Sequence, residues 1–317
     1  MARNFANKLW NASRHAAQRP TELPENAVLR PVGRLGPAEH WILERCEATV
    51  AAVDQAYASF QLGEAARLLH TAIWAEYCDW YLELAKAQLA PGRPVERRVA
   101  TWQVLAWVLD RYLRLLHPIM PHITEHLWAR LPKSPDDPDL LIVARWPQPR
   151  GGAGGAAAVQ ASGTAELLEL VTAIRNARTD AGIEAGTWLS ATIVPRSEGL
   201  LLAVRGLEDA VERLARVRVS VAEDRAVLDD APGALVVVTD QAEARLAATE
   251  ADTERDTARI QKELAEAEAH LAATLARLAD PNFTSRAPAA VVEGARQRAQ
   301  ELAERVERLR RHLAGPG

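Results

Sequence analysis

The chain has 317 residues, which is long enough to bury a sizeable core and to form two or three domains. Its composition, 48% apolar and 25% charged, is typical of a soluble globular protein, and a net charge of −4 excludes a surface that is basic throughout. No stretch approaches the ~20 apolar residues of a membrane span, and Arg3 and Lys8 interrupt any N-terminal signal sequence. We therefore expect a cytoplasmic protein with no membrane partner.

Residues 1 to about 132 carry the apolar periodicity of a helical bundle. After an N-terminal helix, the pattern predicts helices over Glu39–Phe60, Gly63–Leu89, Val95–Leu116 and Pro121–Leu131. The first of these four places its apolar residues on one stripe: Ile42, Cys46, Val50, Val53, Tyr57 and Phe60. Both cysteines, Cys46 and Cys78, fall within helical patterns, so we expect buried free thiols.

A change of composition follows the bundle. Residues 133–149 are rich in Pro and Asp, and Arg150–Ala158 is a Gly/Ala-rich stretch typical of a flexible linker. The lysine and hydroxyl of a phosphate-binding loop are missing from this stretch. Beyond it, alternating helical and β-rich patterns predict a small α/β subdomain. Its helices are predicted at Ala165–Arg178 and Leu207–Val217, and its strands at Trp188–Pro195, Val217–Val221 and Ala234–Thr239.

The last part of the chain is a predicted helical hairpin. Its arms are Ile260–Leu278 and Val292–Leu313, and Pro281 and Pro288 lie in the connection between them. The second arm repeats apolar residues at steps of three and four: Val292, Ala295, Ala299, Leu302, Val306, Leu309 and Leu313. A seam of this kind needs a partner helix, and the first arm offers one: Ile260, Leu264, Ala267, Leu271, Thr274 and Leu278.

These patterns predict a mainly α protein in which a helical bundle, a small α/β connector subdomain and an antiparallel two-helix coiled coil follow one another. We place the bundle at residues 1–149, the linker at 150–163, the α/β subdomain at 164–240 and the coiled-coil arm at 241–317.

Several phrases of the sequence, in the same order, resemble the C-terminal part of bacterial valyl-tRNA synthetases, which belong to the class I aminoacyl-tRNA synthetases. They are Arg3–Asn11 (RNFANKLWN), Glu76–Glu83 (EYCDWYLE), Leu115–Pro121 (LLHPIMP) with Ile123-Thr124-Glu125 and Leu127-Trp128, Trp146-Pro147, Ile174-Arg175 with Arg178, and the hairpin connector. The resemblance covers nearly the whole chain. It implies that residues 1–149 are an anticodon-binding domain and that the hairpin is a tRNA-binding arm.

The resemblance implies a role in translation in which this chain binds tRNA, with tRNA-Val expected, and does not bind DNA. Neither the His-x-Gly-His nor the Lys-Met-Ser-Lys-Ser signature of class I synthetases occurs, so we expect no catalytic site, no cofactor in this chain, and no activity of the chain alone. ATP and Mg²⁺ belong to the catalytic domain, and a separate catalytic synthetase chain is a further candidate partner. Because Met1 stands directly before the anticodon-domain phrase, the chain is expected to be a split protein, a mis-started gene or an excised piece. The alternative is a detached module that now acts as a structural or protein-interaction factor.

Candidate anticodon-binding residues lie on the first two helices, where amide, cationic and aromatic side chains suit phosphates and unstacked bases. They are Arg3, Asn4, Lys8, Asn11, Arg14, Trp41 and Arg45. Phe5, Leu9 and Trp10 would anchor the first helix. The alternative is that Asn4 and Asn11 bridge neighbouring helices, that Trp41 is a core residue and that Arg45 is solvated.

Candidates for contact with the outer corner of the tRNA lie on the hairpin. They are Arg259, Lys262, Arg296, Arg298, Arg305 and Arg308. Such charges also occur on the solvated exterior of any coiled coil, where they form pairs such as Glu301 with Arg305.

One motif suggests different chemistry. His122, Glu125 and His126 match the H-x-x-E-H signature of inverted zinc peptidases, and two histidines at i and i+4 share a helix face. No third ligand stands out downstream, and both histidines depart from the family's phrase at these positions. We therefore expect surface or half-buried histidines and no metal.

Overall fold

A computed structural model gives the fold and describes residues 2–22, 31, 33–134, 136–151, 154–224, 234–248, 250–279 and 289–314. The chain divides into two compact units. The first comprises residues 1–186 and 190–247, and the second comprises residues 187–189 and 248–317.

A helical bundle forms the first part of the first unit. Its α-helices are α1 (Ala2–Ala16), α2 (Pro37–Ala58), α3 (Leu62–Thr71), α4 (Leu82–Gln88), α5 (Val95–Leu116) and α6 (Pro121–Trp128). A π-helical segment, Ala72–Tyr81, joins α3 to α4, and a 3₁₀ turn at Leu141–Val143 follows α6. The predicted bounds of α5 are confirmed, and the single predicted helix over residues 63–89 is three consecutive helical segments.

Helix α5 is the centre of the bundle, because every residue from Ala100 to Leu113 is buried. Such a helix has no solvent face, so its polar groups need partners inside the core. The buried Asp110 carboxylate accepts hydrogen bonds from Trp128 Nε1 at 2.6 Å and from Arg114 Nε at 2.9 Å. Burial raises the pKa of Asp110, whereas these two donors act in the opposite direction.

The start of α2 is fixed by a second buried carboxylate. Glu39 is fully buried and accepts hydrogen bonds from the Gly36 backbone N–H at 3.0 Å and from Thr101 Oγ1 at 2.9 Å. Its other partner is the Arg97 guanidinium, at 2.7 Å. A buried charge is tolerated when it is paired and hydrogen-bonded in this way, and the network ties α2 to α5.

Helix α2 ends earlier than its apolar stripe predicts. Phe60, the last residue of that predicted stripe, follows the helix in the left-handed conformation with φ of 56°. Its side chain is 89% exposed, so its expected place on the buried stripe is wrong. The expected burial of both cysteines is confirmed, and it raises the pKa of the Cys46 and Cys78 thiols to about 12.

The second part of the first unit combines three helices with a four-stranded sheet. The helices are α7 (Ala156–Asp180), α8 (Glu198–Gly206) and α9 (Glu208–Ala215), and the strands are β1 (Leu189–Pro195), β2 (Val217–Val221), β3 (Leu235–Val238) and β4 (Ala242–Ala248). The strand order is β2-β1-β4-β3, and β3 pairs antiparallel with β4 so that Leu235 lies opposite Leu246.

Two expectations for this region are corrected. Helix α7 begins at Ala156, so the flexible linker predicted for residues 150–163 is wrong from that residue onward. The strand β4 was not predicted, and it occupies residues that were assigned to the arm. Helix α7 packs against both α2 and α8, so the bundle and the α/β part share contacts within the first unit.

Two glycines allow α7 and α8 to approach closely. A Cβ atom built on Gly163 would lie 2.0 Å from the backbone carbonyl of Gly199, and one on Gly199 would lie 2.6 Å from the Val159 oxygen. No side chain fits at these distances, because the neighbouring atoms belong to backbone.

The second unit contains α10 (Glu250–Ala279) and α11 (Ala289–Ala314), which pack against each other. Helix α10 contains the first predicted arm, and helix α11 contains the second. Among the described side chains of these helices, the buried ones are Ala267, Ala299 and Val306, and all three belong to the predicted seam. The side chains of Ile260, Val292, Ala295 and Leu313 lie outside the described residues. The supercoiled geometry itself stays a prediction.

Candidate nucleic-acid interface

Helix α1 presents a cationic, amide-rich face to solvent. Phe5, Leu9, Ala12 and Ala16 are buried, and their spacing of three and four places them on one side of the helix. The exposed side carries four of the predicted site residues: Arg3, Asn4, Asn11 and Arg14. No acidic residue occurs anywhere in α1, so nothing in the helix neutralises these charges.

Lys8 has a different role from its neighbours on α1. Its ammonium forms an ion pair with Asp79 and lies 3.8 Å from the centre of the Trp74 ring. Trp74 in turn stacks on His70, with 5.6 Å between ring centroids. Lys8 therefore fastens α1 to the π-helical segment, and its charge is largely compensated by that of Asp79.

On α2, the structure separates the two predicted site residues. Trp41 is only 6% exposed, as expected for the alternative in which it is a core residue, and it offers little surface for stacking on a base. Arg45 keeps a side chain that is 47% exposed, but its Nη2 donates to Glu76 Oε1 at 2.6 Å and its Nε donates to the same oxygen at 3.0 Å. The hydrogen bond to Glu76 raises the pKa of Arg45. Arg45 thus offers a partly compensated charge.

Trp10 is an exposed aromatic residue on this surface, although its sequence context predicts an anchor of the first helix. Its side chain is 39% exposed, and its ring stacks on His126 with centroids 5.0 Å apart and an interplanar angle of 14°. The Arg130 guanidinium carbon lies 5.6 Å from the centre of the same ring. The spacing of the apolar residues contained the signal, because position 10 lies about 100° around the helix from Leu9.

A basic cavity lies beside the C-terminal end of α1. Its volume is about 440 Å³, and its lining includes His15, Arg19, Lys86 and Arg98. Arg98 is paired with Glu22 at 2.7 Å and Lys86 with Glu83 at 2.5 Å. The cavity extends the cationic surface of α1 toward α4 and α5.

The residues of the H-x-x-E-H motif make contacts that do not involve a metal ion. The Glu125 carboxylate accepts hydrogen bonds from the backbone N–H groups of Leu141, at 2.7 Å, and Ile142, at 3.2 Å, and so holds the 3₁₀ turn. His126 is stacked on Trp10, and His122 is exposed. Across the described part of the chain, no three His, Cys, Asp or Glu side chains are grouped to hold a metal ion.

On the two-helix unit, Arg296, Arg298 and Arg305 are exposed. Arg296 pairs with Glu293 at 3.4 Å within α11, and Arg310 pairs with Glu268 of α10 at 2.6 Å. The side chains of Arg259, Lys262 and Arg308 lie outside the described residues. The arm therefore mixes both signs of charge, in contrast to the acid-free α1.

The acid-free cationic helix gives the bundle a surface that can attract the phosphates of a nucleic acid. Comparison with known families defines the class more closely. Residues 39–193 match the anticodon-binding domain of tRNA ligases, and residues 252–315 match the tRNA-binding arm of valyl-tRNA synthetase.

Individual relatives agree with these matches. The valine–tRNA ligase of Dehalococcoides mccartyi is 36% identical over 98% of this chain, and that of Corynebacterium efficiens is 37% identical over 98%. The corresponding protein of Mycobacterium leprae is 36% identical over 99% of the chain. The chain spans about a third of the length of these relatives, 34%, 33% and 34% respectively. The chain belongs to the valine–tRNA ligase family and corresponds to its C-terminal, tRNA-binding part.

None of the helices in the described part of the chain is both long enough and apolar enough to cross a bilayer.

Proposed function

We propose that this chain docks tRNA-Val in the cytoplasm, reads its anticodon loop with the exposed face of α1 and holds its outer corner with the two-helix arm. The observation that carries the proposal is the face of α1, where Arg3, Asn4, Asn11 and Arg14 are exposed on a helix without an acidic residue. Cations of this kind attract phosphates, and the amides have donors and acceptors for base edges.

The chemistry of aminoacylation would lie elsewhere. The sequence has neither ATP-handling signature of the class I synthetases, so ATP and Mg²⁺ would bind to a catalytic part, either a separate chain or another part of the same protein. This chain would position the tRNA so that its acceptor end reaches that site. The pure chain is expected to show no valine-dependent exchange between ATP and pyrophosphate, and detectable exchange contradicts this assignment.

The two surfaces should differ in what they recognise. Loss of an arm cation, as in Arg298→Ala, is expected to weaken every tRNA equally and to lower the salt slope by about one, because the arm would contact only phosphates. Loss of an amide on α1, as in Asn11→Ala, is expected to cost about 1–3 kcal/mol on a valine anticodon and less on others, because a base contact carries sequence information.

The experiment is a titration with two tRNAs that differ only in the anticodon, at two salt concentrations. Wild type, Asn11→Ala and Arg298→Ala are compared, and Gln297→Ala, next to Arg298 and also exposed, is the matched uncharged control on the arm. Equal losses on both tRNAs for Asn11→Ala remove that residue from the reading surface. If Arg298→Ala leaves the salt dependence of binding unchanged, Arg298 does not contact a phosphate of the tRNA.

A second function, a protein-interaction module, has one specific observation in its favour. Three aliphatic side chains around the 3₁₀ turn are exposed: Leu140 by 55%, Ile142 by 69% and Val143 by 67%. Exposed aliphatic groups are more typical of a protein contact than of an RNA contact. The same titration separates the two functions, since a wild-type chain without affinity for either tRNA favours the protein partner.

A further inference from the structure

A surface stack is formed by Trp10 in the middle of α1, His126 near the end of α6 and Arg130 just beyond that helix. The Trp10 ring lies on the His126 ring, with 5.0 Å between centroids and 14° between planes. Arg130 reaches the same indole, and its Nη1 also donates to the His126 backbone oxygen at 3.0 Å. The indole is therefore held by two neighbours while 39% of Trp10 remains exposed.

We infer that Trp10, His126 and Arg130, here named the Trp10 platform, bind one unpaired base of the RNA by stacking. This inference rests on the proposed function and names the residues that would supply the stack. Base–aromatic stacking needs an aromatic face that water can reach and that the protein holds in one orientation. Trp41 is buried and offers little ring surface, whereas 39% of Trp10 is exposed.

The surroundings of the Trp10 platform favour an RNA base over an apolar protein side chain. Asn11 and Arg14, the next exposed residues of α1, offer an amide for a base edge and a guanidinium for the phosphate that accompanies the base. Arg130 is a cation in the platform itself.

The partner position is a loop nucleotide, because bases in a duplex are already stacked on each other. The platform does not select among the four bases by itself, since every base has a π-face. Its contribution is affinity and the placement of the loop, and the adjacent Asn11 would supply discrimination.

The test is a double-mutant cycle between Trp10 and the RNA. The probe is an RNA hairpin with the anticodon stem and loop of tRNA-Val, prepared intact and with each loop nucleotide in turn made abasic. Trp10→Ala is expected to weaken the intact hairpin by about 5- to 150-fold, and Trp10→Phe, which keeps an aromatic face, by much less. For one abasic hairpin, Trp10→Ala should cause no further loss, because the base that it would stack on is already missing.

Two further variants keep the test decisive if Trp10→Ala alters the fold. His126→Ala is expected to lose about twofold to tenfold in affinity, and His126→Phe to recover it by restoring the stacked partner. Phe60→Ala removes another exposed aromatic side chain and is the control that should bind like wild type. Thermal melting of every variant reports whether the fold is intact.

The outcomes separate the inference from the proposed function. If wild type binds the hairpin and Trp10→Ala binds equally well, the platform is overturned and the proposed function stands. If Trp10→Ala loses the same factor on every abasic hairpin, the residue acts through the fold and the inference is again overturned. If wild type binds neither the hairpin nor the whole tRNA, the proposed function itself fails.

Discussion

Helix α5 of the bundle and helix α11 of the arm are similar in length, with 22 and 26 residues, but they are stabilised in different ways. In α5 an unbroken run from Ala100 to Leu113 is buried, and within it Trp102 Nε1 donates to the Ala16 oxygen and the Asp110 carboxylate accepts from Trp128 Nε1. Among the described side chains of α11, the buried ones are Ala299 and Val306. The central bundle helix is thus stabilised by residues buried all around it. The arm helix is stabilised by one narrow seam of buried residues, and charged residues occupy much of the rest of its surface.

The largest expected effect tests the core of the bundle. Leu109 is fully buried in α5, so Leu109→Ala removes buried methyl groups and leaves a cavity among close-packed neighbours. We expect a loss of about 3–5 kcal/mol in the free energy of unfolding, measured by urea denaturation followed by circular dichroism. Leu140→Ala, at a position that is 55% exposed, is the matched control and should change stability by less than about 0.5 kcal/mol. Equal effects at the two positions contradict the assigned core.

The next effect tests the close contact between α7 and α8. In Gly163→Ala the new methyl group meets the Gly199 backbone, which cannot move without separating the helices. We expect destabilisation of about 1–3 kcal/mol from overpacking. Gly186→Ala adds a methyl group where no atom lies within 4 Å, and it should be close to neutral. Identical denaturation midpoints for the two variants would show that the helices are not in contact through these glycines.

The third effect tests the seam of the arm. Leu302 lies in the predicted seam and is half-buried, so Leu302→Ala should cost about 1–2 kcal/mol, less than a fully buried leucine. The loss should appear as local opening of α10 and α11, seen as faster amide hydrogen exchange there, while exchange in α5 is unchanged. Ala303→Ser, at the exposed neighbouring position, is the control. Unchanged exchange in Leu302→Ala contradicts the heptad assignment.

Elements with strong local signals can be predicted from the sequence, whereas elements that depend on tertiary neighbours cannot. Helix α5 was predicted to the residue because its periodicity is sustained and a proline lies beyond each end. The strand β4 was missed because AEARLAA favours a helix, and pairing with β3 overrides that preference. The π-helical segment has no periodicity of its own that distinguishes it from an α-helix over ten residues.

The candidate site shows the same division. The cationic face of α1 follows from the helical period alone, so Arg3, Asn4, Asn11 and Arg14 are exposed as the pattern predicts. The exposure of Trp10 also follows from this period, because position 10 lies off the buried stripe, whereas the burial of Trp41 depends on which other helices cover α2. Helix α7 packs on α2, a contact between residues far apart in sequence. A single sequence does not contain that information.

The smallest expected effect on stability compares α1 with the arm as charged surfaces. In Asp79→Asn the ion pair with Lys8 is lost, but both side chains are partly exposed, by 49% and 24%, and such pairs contribute about 0–1 kcal/mol. Lys8 stays over the Trp74 ring, so the helix should remain in place. The free energy of unfolding should therefore change by less than about 1 kcal/mol.

The same substitution should strengthen RNA binding, because it removes the acidic group that compensates Lys8 beside the acid-free helix. We expect higher affinity for tRNA and a steeper salt dependence, measured at two salt concentrations. Glu293→Gln on the arm is the matched comparison, since it frees Arg296 from a similar exposed pair. If α1 reads the anticodon loop while the arm contacts only phosphates, replacing that loop should reduce the gain from Asp79→Asn and leave the gain from Glu293→Gln unchanged. If each substitution raises the affinity for every RNA by the same factor, both surfaces bind phosphates without regard to sequence.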